Sequence, residues 1–197
     1  SFKDVVGHIE ILKYISSAVE NNRVSHAYIL NGERGSGKKM LANLFAMPLL
    51  CETGDNEPCV KCHSCKQAES GNHPDIIRVT HEKPNSISVD DIRTQVNNTV
   101  DIKPYQGPDK VYIIPQADMM TPQAQNAILK TIEEPPSYAV FLLLTENAET
   151  LLPTINSRCV MLKLRNIKDT LIKKYLMENL EIPDYKADMC TAFAQGN

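Results

Sequence analysis

No run of apolar residues in this chain approaches the roughly 18 that a membrane-spanning helix requires, so no membrane partner is expected. Excess positive charge is also missing. The net charge is -3 over 197 residues and the pI is near 6.0, which argues against a stand-alone nucleic-acid binder. Nor is there a basic patch interleaved with aromatic side chains on which bases would stack; Lys103, Lys110 and Lys130 read as solvated face charges. The first residues, Ser1 to Gly7, lack the segments of a secretory leader. A cytoplasmic protein is expected. Hydrophobic content of 42% and charged content of 23% suit an ordinary globular chain, long enough for one good-sized domain and a fragment of a second.

A chemical absence narrows the reading further. Gly32-Glu33-Arg34-Gly35-Ser36-Gly37-Lys38-Lys39 follows the Gly-x-x-x-x-Gly-Lys part of a phosphate-binding loop, whose next residue should be a Ser or Thr that ligates Mg²⁺. Here it is Lys39, a positive charge near the ion's place. The apolar run Val111 to Ile114 reads as the strand that should present an acidic pair at its end, and it presents Pro115-Gln116. Phosphoryl transfer needs Mg²⁺ between the phosphate oxygens and a group that orients the attacking water. Lys39 removes a metal ligand, Pro115 the acid that holds the metal's water shell, and Gln116 the carboxylate that polarises water. Asp118 reads as a solvated or helix-capping residue, because a side chain two positions past the strand end points elsewhere. Backbone N–H groups at a helix start, with Lys38 beside them, still form an anion site. Gly32, Gly35, Gly37 and Lys38 are therefore the residues that would hold phosphates of ATP or ADP. Both an emptied nucleotide frame and a retained phosphate site are compatible with this loop.

Along the chain, Ile9, Leu12, Ile15, Ala18 and Val19 recur at helical spacing and predict a helix over 8–22. Ala27 to Leu30 is a short strand leading into the glycine loop, and Lys38 to Leu50 continues as an apolar helix. A Cys-rich insert over 51–71 interrupts the pattern. Asp75 to Val79 is the next strand. Ser88 with Asp91 resembles a capping box opening a helix to about Asn98. Thr121 with Pro122 marks another helix start, ending before Pro135-Pro136. Val140 to Leu144 is a strand buried on both faces, and Val160 to Leu164 the fifth. This alternation implies a parallel sheet with helices on both sides. Beyond about Asn166 the pattern is purely helical, through Leu171, Tyr175 and Leu176 and then Ala187 to Ala194. The chain stops at Gly196-Asn197, inside what reads as a small helical domain cut short.

Four of the six cysteines fall in the insert. Cys51, Cys59, Cys62 and Cys65 have the spacing C-x₇-C-x₂-C-x₂-C. Four thiolates on a short loop match a closed tetrahedral structural zinc site, with no position left for water or substrate. An iron–sulfur site would want a Cys-Pro that is not there. Cys159 and Cys190 stand alone and read as small buried residues.

Ser25 to Leu30, the loop at Gly32, the cysteine cluster, His73-Pro74-Asp75, Asn126 to Pro136 and Ser157-Arg158-Cys159 follow one another over essentially the whole chain. In this order they resemble bacterial DNA polymerase III clamp-loader subunits, of the AAA+ family. The resemblance implies an α/β fold: an AAA+ P-loop domain with a parallel five-stranded sheet flanked by helices over 1–165, and the start of a helical lid over 166–197. It implies a zinc module on the four cysteines and part of the DNA polymerase III holoenzyme, a nucleotidyltransferase. Within the family the missing hydroxyl and acidic pair match the delta-prime stator rather than the gamma/tau motor. The expected partners are the gamma/tau and delta subunits of a hetero-oligomer, with primed DNA and the sliding clamp met indirectly. The resemblance also places Arg158 at a subunit edge as an arginine finger acting in trans on a neighbour's ATP, a task suited to a planar, permanently charged fork. Thr145 matches the position of a polar sensor, and equally a strand-terminal threonine making a local hydrogen bond.

Two other readings compete. A gamma/tau-type ATPase motor with divergent motifs would hydrolyse ATP with Mg²⁺ by itself. A zinc-dependent DNA-gripping module would want a basic insert, yet Glu52, Asp55, Glu57 and Glu69 offset Lys61 and Lys66.

Overall fold

The computed structural model describes residues 7–54 and 57–194. The expectations for Ser1 to Val6, Asp55 and Gly196-Asn197 lie outside the described residues. Five strands, β1 (Ala27–Asn31), β2 (Ile76–Arg78), β3 (Lys110–Ile114), β4 (Ala139–Thr145) and β5 (Val160–Lys163), form one sheet in the order β2-β3-β4-β1-β5. Every pairing is parallel. β3 and β4 are buried along their whole lengths, as their unbroken apolar runs require when both faces are covered.

Alternation of side chains divides the interior in two. Tyr28, Leu30, Val140, Leu142 and Leu144 face one way, toward α1 (Ile9–Glu20) and α2 (Lys38–Leu50). Ala27, Ile29, Ala139, Phe141 and Leu143 face the other, toward α4 (Val89–Ile92), α5 (Pro122–Glu133) and α6 (Pro153–Asn156). Aromatic rings pack on each side, with Tyr14 edge-on to Tyr28 at 6.3 Å on the first. Tyr28 meets Phe45 edge-on at 4.6 Å, and Tyr112 stacks on Phe141 at 5.3 Å.

Helix ends follow their sequence signals. Ser88 accepts the Asp91 N–H while Asp91 accepts the Ser88 N–H, so the capping box forms with a shorter acid. Thr121 caps α5 with Pro122 in the first turn. The helix opened by Ser88 is not α-helical throughout, since Arg93–Asn97 widens into a π-helical stretch. The insert also holds a helix, α3 (His63–Ser70), which hydropathy did not foretell. α7 (Asp169–Asn179) and α8 (Asp184–Ala194) follow the sheet. Cys190, expected to be buried, is exposed on α8, which has few apolar neighbours to cover it. No described helix is long and apolar enough to cross a membrane.

Candidate functional site

The glycine loop leaves the C-terminal end of β1, an inner strand, where parallel sheets present their ligand sites. Gly32 is held by its N–H, which donates to the Thr145 carbonyl at 3.1 Å. A Cβ there would lie 2.7 Å from Ser36 Oγ and 2.8 Å from Leu164 Cβ, so no larger residue fits. Gly37, the residue before α2, has φ +83°, a conformation that glycine adopts without strain. Lys38 Nζ folds back over the loop, donating to the Gly32 carbonyl at 2.6 Å and the Glu33 carbonyl at 2.7 Å. Burial lowers its pKa, while the charges of Glu146 and Asp118 oppose that shift.

Asp118 therefore does not point away into solvent. It is half-buried on a turn after β3, and its Oδ1 is enclosed without a hydrogen-bond partner. The strand's alternation stops at Gln116, whose left-handed φ of 55° turns the chain before Asp118 is placed. Lys39 is exposed in the first turn of α2, and Pro115 and exposed Gln116 follow β3. None of the three offers the metal ligand or base that the loop's pattern calls for. Thr145 is fully buried and its Oγ1 accepts the Asn147 N–H at 3.1 Å, the local bond of a strand-terminal threonine.

The insert gathers its thiols. The sulfurs of Cys51, Cys59, Cys62 and Cys65 all lie within 4.8 Å of one another, with Cys51–Cys62 at 4.0 Å and Cys59–Cys65 at 3.9 Å. A tetrahedron with zinc–sulfur bonds of about 2.3 Å has edges of about 3.8 Å, so the donor set fits. The Cys62 and Cys65 N–H groups donate to the Cys59 and Cys62 sulfurs, both at 3.3 Å, and so favour thiolates. The backbone N–H of Lys61, followed by that of Cys62, draws the Cys59 thiol down to about 6, whereas burial pushes Cys65 up. The four cysteines would hold zinc; a closed shell of this kind supplies rigidity and no reactive position.

Sequence reasoning missed what fastens this module. His73 is buried and its Nδ1 accepts the Asp75 N–H at 3.1 Å, so Nε2 carries the proton and donates to Ser64 Oγ at 2.9 Å. Ser64 in turn donates to the Leu50 carbonyl at the end of α2. The Asp75 carboxylate accepts the N–H groups of Tyr105, Gln106 and Gly107. Arg78 donates to the Gly71 carbonyl after α3 and to Asn43 on α2. The signal was the His-Pro-Asp string, but its partners lie up to 32 residues away. Lys110 was also misplaced. It is buried, with Nζ donating to the carbonyls of Thr99 and Ile102 at 2.7 and 3.0 Å.

Arg158 follows α6 and is exposed, its guanidinium held by Glu133 at 2.7 Å and by the Thr154 carbonyl at 3.2 Å. Tyr28 pairs with Val160 and Asn31 with Lys163. Arg158 thus precedes β5, while the glycine loop leaves the far end of neighbouring β1. Two residues before Val160, Arg158 is level with His26, six residues from Gly32, so at a strand rise of about 3.3 Å per residue roughly 20 Å along the strands separates the two. Cys159 beside it is partly buried, with its thiol pushed up to about 12 by burial.

A family model described as DNA polymerase III, delta subunit, matches residues 7–168. The tau/gamma subunit of DNA polymerase III from Haemophilus influenzae is 37% identical across the whole chain and 29% of its own length. The delta' subunit from Bacillus subtilis is 37% identical over 85% of this chain and 50% of its own length. The solved structure of a DNA polymerase III gamma subunit-related protein from Thermotoga maritima has a TM-score of 0.62 at 26% identity, covering 93% of this chain and 57% of that one. A RuvB variant from the same organism reaches 0.64 at 15% identity, covering 100% of this chain and 61% of its own, a likeness of fold alone. The chain spans about half or less of the length of these two curated relatives. The family match covers the glycine loop, the thiolate cluster and Arg158 together, and the chain therefore belongs to the DNA polymerase III delta-subunit family.

Proposed function

We propose that this chain is the delta-prime, or stator, type of clamp-loader subunit in the cytoplasm. It hydrolyses no ATP itself and lends Arg158 to the ATP held by a neighbouring gamma/tau motor. The observation that carries this reading is the pairing of Lys39, Pro115 and Gln116 around the glycine loop with an exposed arginine at the other end of the sheet. The first three leave the loop without the groups that phosphoryl transfer needs. Arg158, too far along the strands to serve its own loop, is free to serve another subunit's. The zinc module stiffens the domain, residues 166–197 begin a helical lid, and the assembled complex with a delta subunit loads the sliding clamp on primed DNA.

The test is the ATPase rate of the reassembled complex with Arg158→Ala. Turnover should fall while assembly is unchanged; a mutant complex as fast as the parent would remove the arginine-finger role. The motor reading draws on the whole-chain match to a tau/gamma subunit. It requires Mg²⁺-dependent hydrolysis by this protein alone, abolished by Lys38→Ala.

A further inference from the structure

We propose that the loop from Gly32 to Lys39 binds a nucleoside di- or triphosphate without magnesium, with the Lys39 ammonium taking the place of the metal. The inference rests on the loop being a phosphate site and is independent of Arg158.

The metal that the fold family implies does not fit these residues. Its hydroxyl ligand is replaced by an ammonium, and the end of β3 carries Pro115 and Gln116 in place of acids. A divalent cation would stand beside both Lys38 and Lys39. Asp118 and Glu146 are the acids whose charges reach Lys38, and there they are already opposed by its ammonium. A single half-buried Asp118 does not replace a hydroxyl and an acidic pair. Lys38 belongs to the loop's metal-binding pattern, so the repulsion that decides against the ion is that of Lys39, which stands in the hydroxyl's place.

The anion fits better. The first N–H groups of α2 lie ahead of the bond from Leu41 N–H to the Gly37 carbonyl, so they have no partner within the helix. Lys38 Nζ occupies two loop carbonyls, bonds that an entering phosphate replaces with stronger charge-assisted ones. Lys39 is exposed one residue further on, and Arg34 is exposed on the loop itself, with Glu33 the loop's one acid. These cations neutralise phosphate charge that magnesium would otherwise cover. Free ATP, more anionic than its magnesium complex, is then the preferred form. Lys39 is the residue that sets this preference.

Calorimetric titration of the full chain with ATP, in EDTA and in excess Mg²⁺, tests the proposal. Binding is expected in EDTA and should weaken about tenfold or more in Mg²⁺, the worth of about one charge-assisted bond. Lys39→Thr, a change at an exposed position that the fold tolerates, should lose about tenfold in EDTA and gain from Mg²⁺. Lys38→Ala should abolish both, which locates the site. Tighter binding of the parent chain with Mg²⁺, no binding in either buffer, or an unchanged EDTA affinity in Lys39→Thr would each overturn it. Because none of these titrations involves a partner's ATP, their failure is separable from failure of the Arg158 assignment.

Discussion

Arg158 Nη2 lies 2.7 Å from Glu133 Oε1, with the two side chains 41% and 38% exposed. The pair joins Arg158, two residues past α6, to the last residue of α5, so the guanidinium is held within its own chain. A half-exposed ion pair contributes no more than about 1 kcal/mol to stability. Glu133→Gln should therefore leave thermal unfolding nearly unchanged. In the reassembled complex it should leave the ATPase rate at or above the parent's, while Arg158→Ala lowers it. A Glu133→Gln complex as slow as Arg158→Ala would mean that the carboxylate positions the arginine in the working state.

The thiolate cluster should carry one zinc per chain, measured by atomic absorption on protein purified without chelator. Cys62→Ser should lose that metal and unfold at lower temperature, because metal binding to a folded site adds directly to folding free energy. Full occupancy in the mutant would place the metal elsewhere.

His73→Ala removes the link between Ser64 and the Asp75 backbone and leaves buried groups unpaired. The expected loss is about 2–4 kcal/mol in denaturant unfolding. Burial holds the His73 pKa below 6.5, so as pH falls through 6.5 the unfolded chain takes up a proton that the folded chain refuses. Its contribution is complete above that pH and declines below it. Imidazole nitrogen NMR should show a neutral ring protonated on Nε2 at pH 6.5; a ring charged there would contradict the relay.

Much of the fold was legible because it depends on period and on local signals. Val111 to Ile114 and Val140 to Leu144 are unbroken apolar runs, and buried parallel strands have no other appearance. The Ser88 box and Thr121-Pro122 act within one helical turn, so their partners are adjacent in sequence. What was hidden depends on distance. Lys110 reads as a surface charge until Thr99 and Ile102 supply carbonyls in the interior. Asp118 is half-buried rather than solvated because the left-handed Gln116 ends the strand geometry before it. Helix α3 is short and polar apart from the cysteine and alanine it buries, and lies against α2 through them, a contact that no periodicity announces.

The two aromatic pairs should behave as separate supports. Phe45→Ala, beside Tyr28, should cost about 3–5 kcal/mol, and Phe141→Ala, beside Tyr112, a similar amount. Since the sheet stands between them, equilibrium unfolding of the double mutant should show losses that add. A strongly non-additive double mutant would mean that the sheet couples the two faces.

Helix α2 carries the glycine loop at its first turn and Cys51 directly after its last. Its 13 residues span about 20 Å, and nine of them are buried against their surroundings. Burial holds this rod in the core, while Pro48 in its last turn removes one of the helix's own hydrogen bonds. The thiolate module and the glycine loop thus sit at opposite ends of one buried helix, so neither can be repacked without disturbing the segment that carries the other.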